Sequence, residues 1–454
     1  MEQGEASSSS FQQPISIPLR RLDSPTGNDM TLGPATRLGL FITPPLAPGS
    51  KPRKRKHMID YFHSRRVRGE IDKPWLRHQH WKEKLANILP IVGFVLGLGV
   101  AGILIWDGLR SVAKHKYCLV LEDNFTTFNG AVWTKEVQVG GFGNGEFEQT
   151  TGGDENVYVQ GGHLFIKPTL QDADLINNFT IIDLLKDGTC TSKEPSDCIA
   201  VTNSTAGNSS LVPPVKSGRI NTKKGATIKY GRVEVTAKLP EGDWLWPAIW
   251  MMPANDTYGS WPASGEIDIM ESRGNDRYYD QGGNDIVSSA MHWGPDPDHD
   301  AWWKTNVKRQ ALHTTYSAGF NTFGLEWSQN YLFTYVNSRL LQVLYTDFKE
   351  PLWTRGGFPE ATANGTRLRN TWSPTGRANT PFDQRFYLIL NVAVGGTNGW
   401  FENSKSGKPW IDNNPYTKQD FWNSQHVWLP TWTNPVMEVS KVVMWQQCDG
   451  DEEL

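Results

Sequence analysis

The sequence predicts an all-β domain of the sandwich kind, preceded by a disordered tail and one transmembrane helix. Three observations carry this. Beyond residue 118, short stretches of alternating apolar and polar residues recur between glycine-rich turns, with few convincing helices. Residues 85–106 form a run of 22 without a charge. Before that run, residues 1–57 hold eight prolines, four consecutive serines at 7–10 and almost no periodic apolar pattern.

From the N-terminus, such a composition buries too little apolar surface to offset its ordering entropy, so residues 1–84 read as a cytosolic, largely disordered tail. The tail is basic. The net charge of −3 conceals +7 in residues 1–87 and −10 in the remainder. Lys51, Arg53, Lys54, Arg55 and Lys56 suit contact with anionic lipid better than a nuclear signal or a nucleic-acid patch, given the span that follows.

That span, residues 85–106, is long enough to cross ~30 Å of hydrocarbon at ~1.5 Å per residue. It is too long, and too far into the chain, for a cleaved signal peptide, so it reads as a signal anchor. Five Lys and Arg in residues 68–87 against three in 107–126 place the N-terminus in the cytosol. The remainder would be lumenal or extracellular, making a single-pass type II membrane protein with a juxtamembrane linker at 107–117. Gly93, Gly97 and Ala101 would let two such helices approach closely, which is the route to a homodimer.

Asn124, Asn178, Asn203, Asn208, Asn255 and Asn364 each open an Asn-x-Ser/Thr triplet, and all six lie beyond the span, as expected of a glycoprotein with that orientation. Cys118, Cys190, Cys198 and Cys448 lie there too. Four cysteines in an oxidising compartment suggest two disulfides with three connectivities. The preferred one joins Cys190 to Cys198 across a short loop and Cys118 to Cys448 as a clasp on a domain at 118–448; free buried thiols are the alternative.

Inside that domain, Val233, Val235, Ala237 and Leu239 alternate with Arg232, Glu234, Thr236 and Lys238, the pattern of a half-buried strand. Residues 286–293, 320–327, 386–394 and 436–445 give further strands, and 332–336 with 339–345 a hairpin across Asn337-Ser338. Residues 449–454 are an acidic tail. Its end, Asp451-Glu452-Glu453-Leu454, approaches a retention tetrapeptide, with a frayed terminus as the default.

Residues 265–271, Gly-Glu-Ile-Asp-Ile-Met-Glu, put three carboxylates within six residues. On a helix, Glu266 and Glu271 would point about 140° apart. In a regular strand Glu266, Asp268 and Met270 share one face and Glu271 takes the other. One extra residue bulging near Met270 turns all three acids the same way. The outer Cα atoms then lie ~13 Å apart, and two inclined Glu side chains bring their carboxyls to roughly 5–6 Å. That is the spacing of a retaining glycosidase, since an inverting pair leaves room for a water. Glu266 is then the nucleophile, Glu271 the acid and later the base, and Asp268 the group that orients the nucleophile. A solvated acidic strand edge is the plain alternative.

The surrounding motifs weigh against that alternative. Ser217-Gly218-Arg219-Ile220, Lys229-Tyr230-Gly231-Arg232-Val233-Glu234, Leu239-Pro240, Leu245-Trp246-Pro247-Ala248-Ile249-Trp250-Met251, Trp261-Pro262-Ala263-Ser264, Phe323-Gly324-Leu325-Glu326-Trp327 and Asn391-Val392-Ala393-Val394-Gly395-Gly396 follow in order. Over roughly residues 118–447 the chain thereby resembles glycoside hydrolase family 16, in particular its laminarinase branch, which includes the β-1,3-glucan recognition proteins. The resemblance implies a β-jelly-roll with a concave substrate cleft and the acid strand on its floor. It implies a retaining endo-β-1,3-glucanase, or β-1,3(4)-glucanase, whose covalent intermediate serves hydrolysis or transglycosylation of β-glucan. The anchor resembles that of membrane-bound members implicated in fungal β-1,6-glucan assembly, so a part in cell-wall building follows as a variant. A non-catalytic β-glucan receptor is the rival, because some recognition proteins of this branch have lost their acids.

Seventeen of the 20 tryptophans lie beyond the span, and an exposed indole offers a flat face to the C–H side of a sugar ring. By motif position Trp246 and Trp250, on one strand face, and Trp261, just before the acids, are the candidates. The family pattern adds Asn144, Arg219 and His292 as polar contacts. Gly143-Asn144-Gly145-Glu146-Phe147-Glu148 departs from the usual Asn-Asn-Glu-Leu-Gln, which weakens Asn144, and His292 reads equally well as a structural histidine. No His/Cys cluster has zinc spacing. No cofactor is required, and a structural calcium of the kind many members carry is compatible.

Overall fold

The period-two stretches pair into two antiparallel sheets. The computed structural model describes residues 66, 68–76, 81–111, 114–203, 210–362 and 364–448; the expectations for residues 1–57, for Asn208 and for the acidic tail 449–454 lie outside them. The chain divides at Leu98 into two units. The helix Trp81–Ser111 passes through that division, extending beyond the uncharged run at both ends, because lysines continue a helix about as readily as leucines and a single aspartate does not end one. Its stretch Trp81–Gly108 is long and apolar enough to cross a membrane, and none of it is buried.

Within the second unit, the acid sheet runs in the order Asn306–Gln310, Ile286–His292, Glu266–Ser272, Leu245–Pro253, Phe386–Val394, Arg219–Asn221, Thr134–Lys135, with Thr227–Ile228 also pairing on Phe386–Val394. The outer sheet runs Gln342–Asp347, Tyr331–Val336, Asn321–Trp327, Gly231–Lys238, Met437–Gln447, His163–Ile166, Val157–Gln160, with Tyr117–Asp123 on the far part of Met437–Gln447. This is a β-jelly-roll sandwich. Each sheet turns its apolar set inward: Val233, Val235, Phe323 and Leu325 from one meet Ile249, Met251, Ile267, Leu388 and Leu390 from the other, all essentially inaccessible. Trp327 stands edge-on to Phe386, with centroids 5.4 Å apart, and donates its N–H to the Phe382 carbonyl at 3.1 Å. Phe386–Val394, which pairs with neighbours on both sides near the middle of the sheet, is buried along its whole length.

The five strands expected from the sequence form within two residues of their expected ends. The hairpin differs. Asn337 turns into the left-handed region at φ 63, but the second strand begins only at Gln342, opposite Tyr335. Arg339 leaves the ladder and reaches the buried carboxylate of Glu326 at 2.5 Å, which turns the expected two-residue turn into a longer loop.

Both preferred disulfides are present, Cys190–Cys198 across 8 residues and Cys118–Cys448 across 330. The long one closes the seam where the first strand lies beside the last, with the Cys448 N–H bonded to the Lys116 carbonyl at 2.9 Å. Chain entropy makes the long closure worth about 3 kcal/mol more than the short one. Urea denaturation should therefore show Cys118→Ser/Cys448→Ser clearly less stable than Cys190→Ser/Cys198→Ser; equal midpoints would contradict this.

Candidate active site

The acid strand Glu266–Ser272 carries the bulge that brings its three acids to one face. On one side Ile249 pairs with Met270 and Trp250 with Asp268, which leaves Ile269 unpaired. On the other, Asp268 faces Ala290 and Glu271 faces Ser288, so Ile269 and Met270 together oppose Ser289. The Ser289 hydroxyl donates to the Ile269 carbonyl at 2.7 Å, satisfying a group that the broken ladder leaves free. Ile267, Ile269 and Met270 join the core; Glu266, Asp268 and Glu271 share the opposite face. Gly265 enters the strand at φ 84, and a Cβ there would lie 3.0 Å from the Phe382 ring, so only glycine fits without strain.

Each acid has its own surroundings. The Trp261 indole N–H donates to Glu266 at 2.6 Å, and that of Trp246 to Glu271 at 3.0 Å. Asp268, 2% exposed, has His292 Nε2 at 3.2 Å. His292 Nδ1 in turn lies 2.5 Å from Asp300. Burial, with the charges of Glu266 and Glu271, holds Asp268 well above the usual carboxylate range, against the pull of His292. Burial is also the main reason that Glu271 is pushed up to about 7; Glu266 adds to it, while His292, the Trp246 N–H and Arg273 draw it back. For His292, burial opposes the charge, yet Glu266, Asp268 and Asp300 keep its pKa well above that of an ordinary histidine.

The other expected contacts gather on the same sheet, with differences. Trp246 and Trp250 do share a face of Leu245–Pro253, but Trp246 is buried, because Trp400 stacks on it at 4.7 Å and 10°. Trp246 is thus not an open platform. Trp400, which lies in turn 4.0 Å from the Arg273 guanidinium, is the more accessible ring of the pair. Trp250 donates to Asn391 at 2.7 Å and has Arg219 at 4.7 Å from its ring. Arg219 also packs on Phe142 and pairs with Glu136 at 2.9 Å. Asn144 donates to Glu146 at 3.0 Å and accepts from Asn398. Behind it Glu148, where the family pattern has Gln, is held well above its ordinary value by burial and by Glu146.

Beside His292 stands Trp302, 43% exposed, with Trp303, 65% exposed, next to it in the chain; the sequence reading singled out neither, and a tandem Trp pair in a polar loop was their only signal. Among the described residues, one group has metal-donor atoms in reach of each other, Glu266, Asp268 and His292, within 4.8 Å. Calcium takes roughly six to eight oxygen ligands, and two carboxylates with an imidazole nitrogen do not supply them, so this set does not fit calcium.

The profile described as "Glycosyl hydrolases family 16" matches residues 191–383. The "Beta-1,3-glucan-binding protein" of Penaeus monodon is 38% identical over 349 residues, which cover 72% of this chain and 90% of that protein. The chain belongs to glycoside hydrolase family 16. Another relative in this family 16 set, "Glucan endo-1,3-beta-glucosidase A1" of Niallia circulans, is 30% identical over 293 residues, covering 61% of this chain and 34% of that enzyme. This family 16 chain spans 60–63% of the length of four insect relatives. Among solved structures, the laminarinase catalytic domain of Thermotoga maritima covers 74% of this chain and all of its own, at 22% identity and a TM-score of 0.46.

Because Glu271 is held above its unfolded value, its contribution to stability is complete below the ordinary carboxylate range and is lost as pH rises through about 7. Glu271→Gln, neutral at every pH, should resist urea better than the parent at pH 8 and match it at pH 4. A variant no more stable at pH 8 would mean that burial does not oppose the charge.

Proposed function

We propose that this family 16 chain is a retaining endo-β-1,3-glucanase or β-1,3(4)-glucanase, also able to pass the glycosyl group to a sugar acceptor. One observation carries the reading: the bulge sets all three acids on one face, where burial pushes Glu271 up to about 7. In the first step the Glu266 carboxylate attacks the anomeric carbon while Glu271 gives its proton to the departing oxygen. In the second, Glu271 takes a proton from water or from a sugar hydroxyl, which attacks the glycosyl-enzyme and releases Glu266. A group poised near neutrality serves in both directions. The Trp246 N–H supports the Glu271 anion between the steps, and the Trp261 N–H fixes the Glu266 oxygen that does not attack. Trp250, Trp261, Trp302 and Trp400 give the face aromatic ground for sugar rings.

The helix Trp81–Ser111 supports a type II anchor, with the sandwich lumenal or extracellular. The same orientation exposes the sequons to glycosylation, and Asn124, Asn178, Asn255 and Asn364 have exposed side chains. The rival reading is a β-glucan-binding protein without catalysis, favoured by the likeness to the β-1,3-glucan-binding protein of Penaeus monodon.

Laminarin separates the two. The full chain in detergent should release reducing ends or transfer products with the β configuration kept, observed by NMR on fresh products. Glu266→Gln should abolish this, and Glu271→Gln should lose about 10²–10⁴-fold, recovering on aryl glycosides whose leaving group needs no proton. Activity should decline as pH rises through about 7, where Glu271 gives up its proton. Binding of laminarin with no products, and with Glu266→Gln indistinguishable from the parent, would establish the rival.

Trp302→Ala and Trp400→Ala should each weaken laminarin binding with less effect on turnover, read as KM against kcat; unchanged KM in both would remove them from the sugar-binding face.

A further inference from the structure

The loop after Ile286–His292 brings a fourth carboxylate to the acid face. Asp300, whose side chain is 7% exposed, uses both oxygens. Oδ1 accepts from the backbone N–H groups of Trp293 and Trp302, each at 3.1 Å. Oδ2 lies 2.5 Å from His292 Nδ1, while the other ring nitrogen faces Asp268 at 3.2 Å. The imidazole is flanked by two indoles, Trp261 with its centroid at 5.7 Å and Trp302 at 6.1 Å and nearly parallel, 22° apart. Trp261 is the residue whose N–H holds Glu266. One buried side chain thus reaches both the loop that carries Trp302 and, through His292, the acid strand.

We propose that Asp300 is a positioning residue that fixes His292 as a cation beside the acid trio, one oxygen setting the Trp302 loop and the other the plane and charge of the imidazole. A buried carboxylate is stable as an anion only against a partner charge, and His292 is the cationic group in contact with it. The charged groups that face His292 are Asp268 and Glu266 on the acid strand and Asp300 on the loop, with Glu271 farther along. Of the loop's other two acids, Asp296 is turned to His299 at 2.7 Å and Asp298 is exposed. The cation lets the acid strand keep negative charge on the same face as Glu271. Without Asp300, His292 releases its proton at lower pH, the strand loses its cation, and its carboxylates ionise only at higher pH.

Asp300→Asn tests this well, because its amide oxygen can still accept from the two backbone donors while the charge disappears. The full chain in detergent micelles is compared by two measurements: NMR titration of the His292 imidazole, assigned by its loss in His292→Gln, and the pH profile of kcat/KM on laminarin. In the parent, His292 should stay protonated past the ordinary histidine range. In Asp300→Asn its titration should fall by about one unit or more, and the acidic limb of the profile should rise by about one unit, with activity recovering as pH is raised. Asp300→Glu should restore part of both shifts.

A parent His292 that titrates in the ordinary range overturns the proposal, and so does an Asp300→Asn variant that loses activity equally at every pH with neither titration moved. Should that variant fail to fold, the parent's imidazole titration decides. The kinetic arm rests on the glucanase reading. A parent inactive at every pH sinks that reading, while the imidazole titration still judges Asp300.

Discussion

Side chains along a strand alternate, so a regular Glu266–Ser272 would send Glu271 into the core beside Ile267 and Ile269. The extra residue opposite Ser289 prevents this. It costs a ladder hydrogen bond, which the Ser289 hydroxyl offsets, and it adds one more apolar group to the core in Met270. Everything else about the acid face follows from that register: the Trp246 bond to Glu271, the Trp261 bond to Glu266, and Asp268 caught between them against His292.

The bulge also concentrates charge. Three carboxylates that share one half-buried face cannot all ionise cheaply, and the surroundings divide the cost among them. Indole N–H groups hold the outer two as hydrogen-bond acceptors, and an imidazole supplies a positive charge to the inner one. Glu271, with burial against it, keeps its proton to about 7. The same burial that makes the site useful makes it expensive for the fold, which is the usual relation between stability and catalysis.

Much of this was legible in the sequence, because the signals were local. The acids stand within six residues, and the strand period showed that only a bulge near Met270 would bring all three to one face. Period two likewise put Trp246 and Trp250 on one face, and loop closure favoured the observed disulfides. What escaped was non-local. That Trp400 would cover Trp246 depends on a loop more than 150 residues downstream folding back over the sheet. Asp300 and Trp302 lie close to His292 in sequence, yet their roles depend on how a short loop turns, and no periodicity announces that. The hairpin beyond Val336 misled for a similar reason: Arg339 had a distant partner in Glu326, and a charge seeking a buried carboxylate outranked the turn preference of Asn337-Ser338.

On the glucanase reading proposed above, nucleophile, orienting aspartate and proton donor all hang from a single β-strand in the middle of a sheet. Their mutual spacing is therefore insulated from whatever happens at the rim. On that reading, Trp302 and Trp400 can be exchanged for other aromatics and so suit differently linked or branched polymers, so long as Asp300 still holds His292 and Trp246 still holds Glu271. In such a scaffold, selectivity and reactivity are separable inheritances.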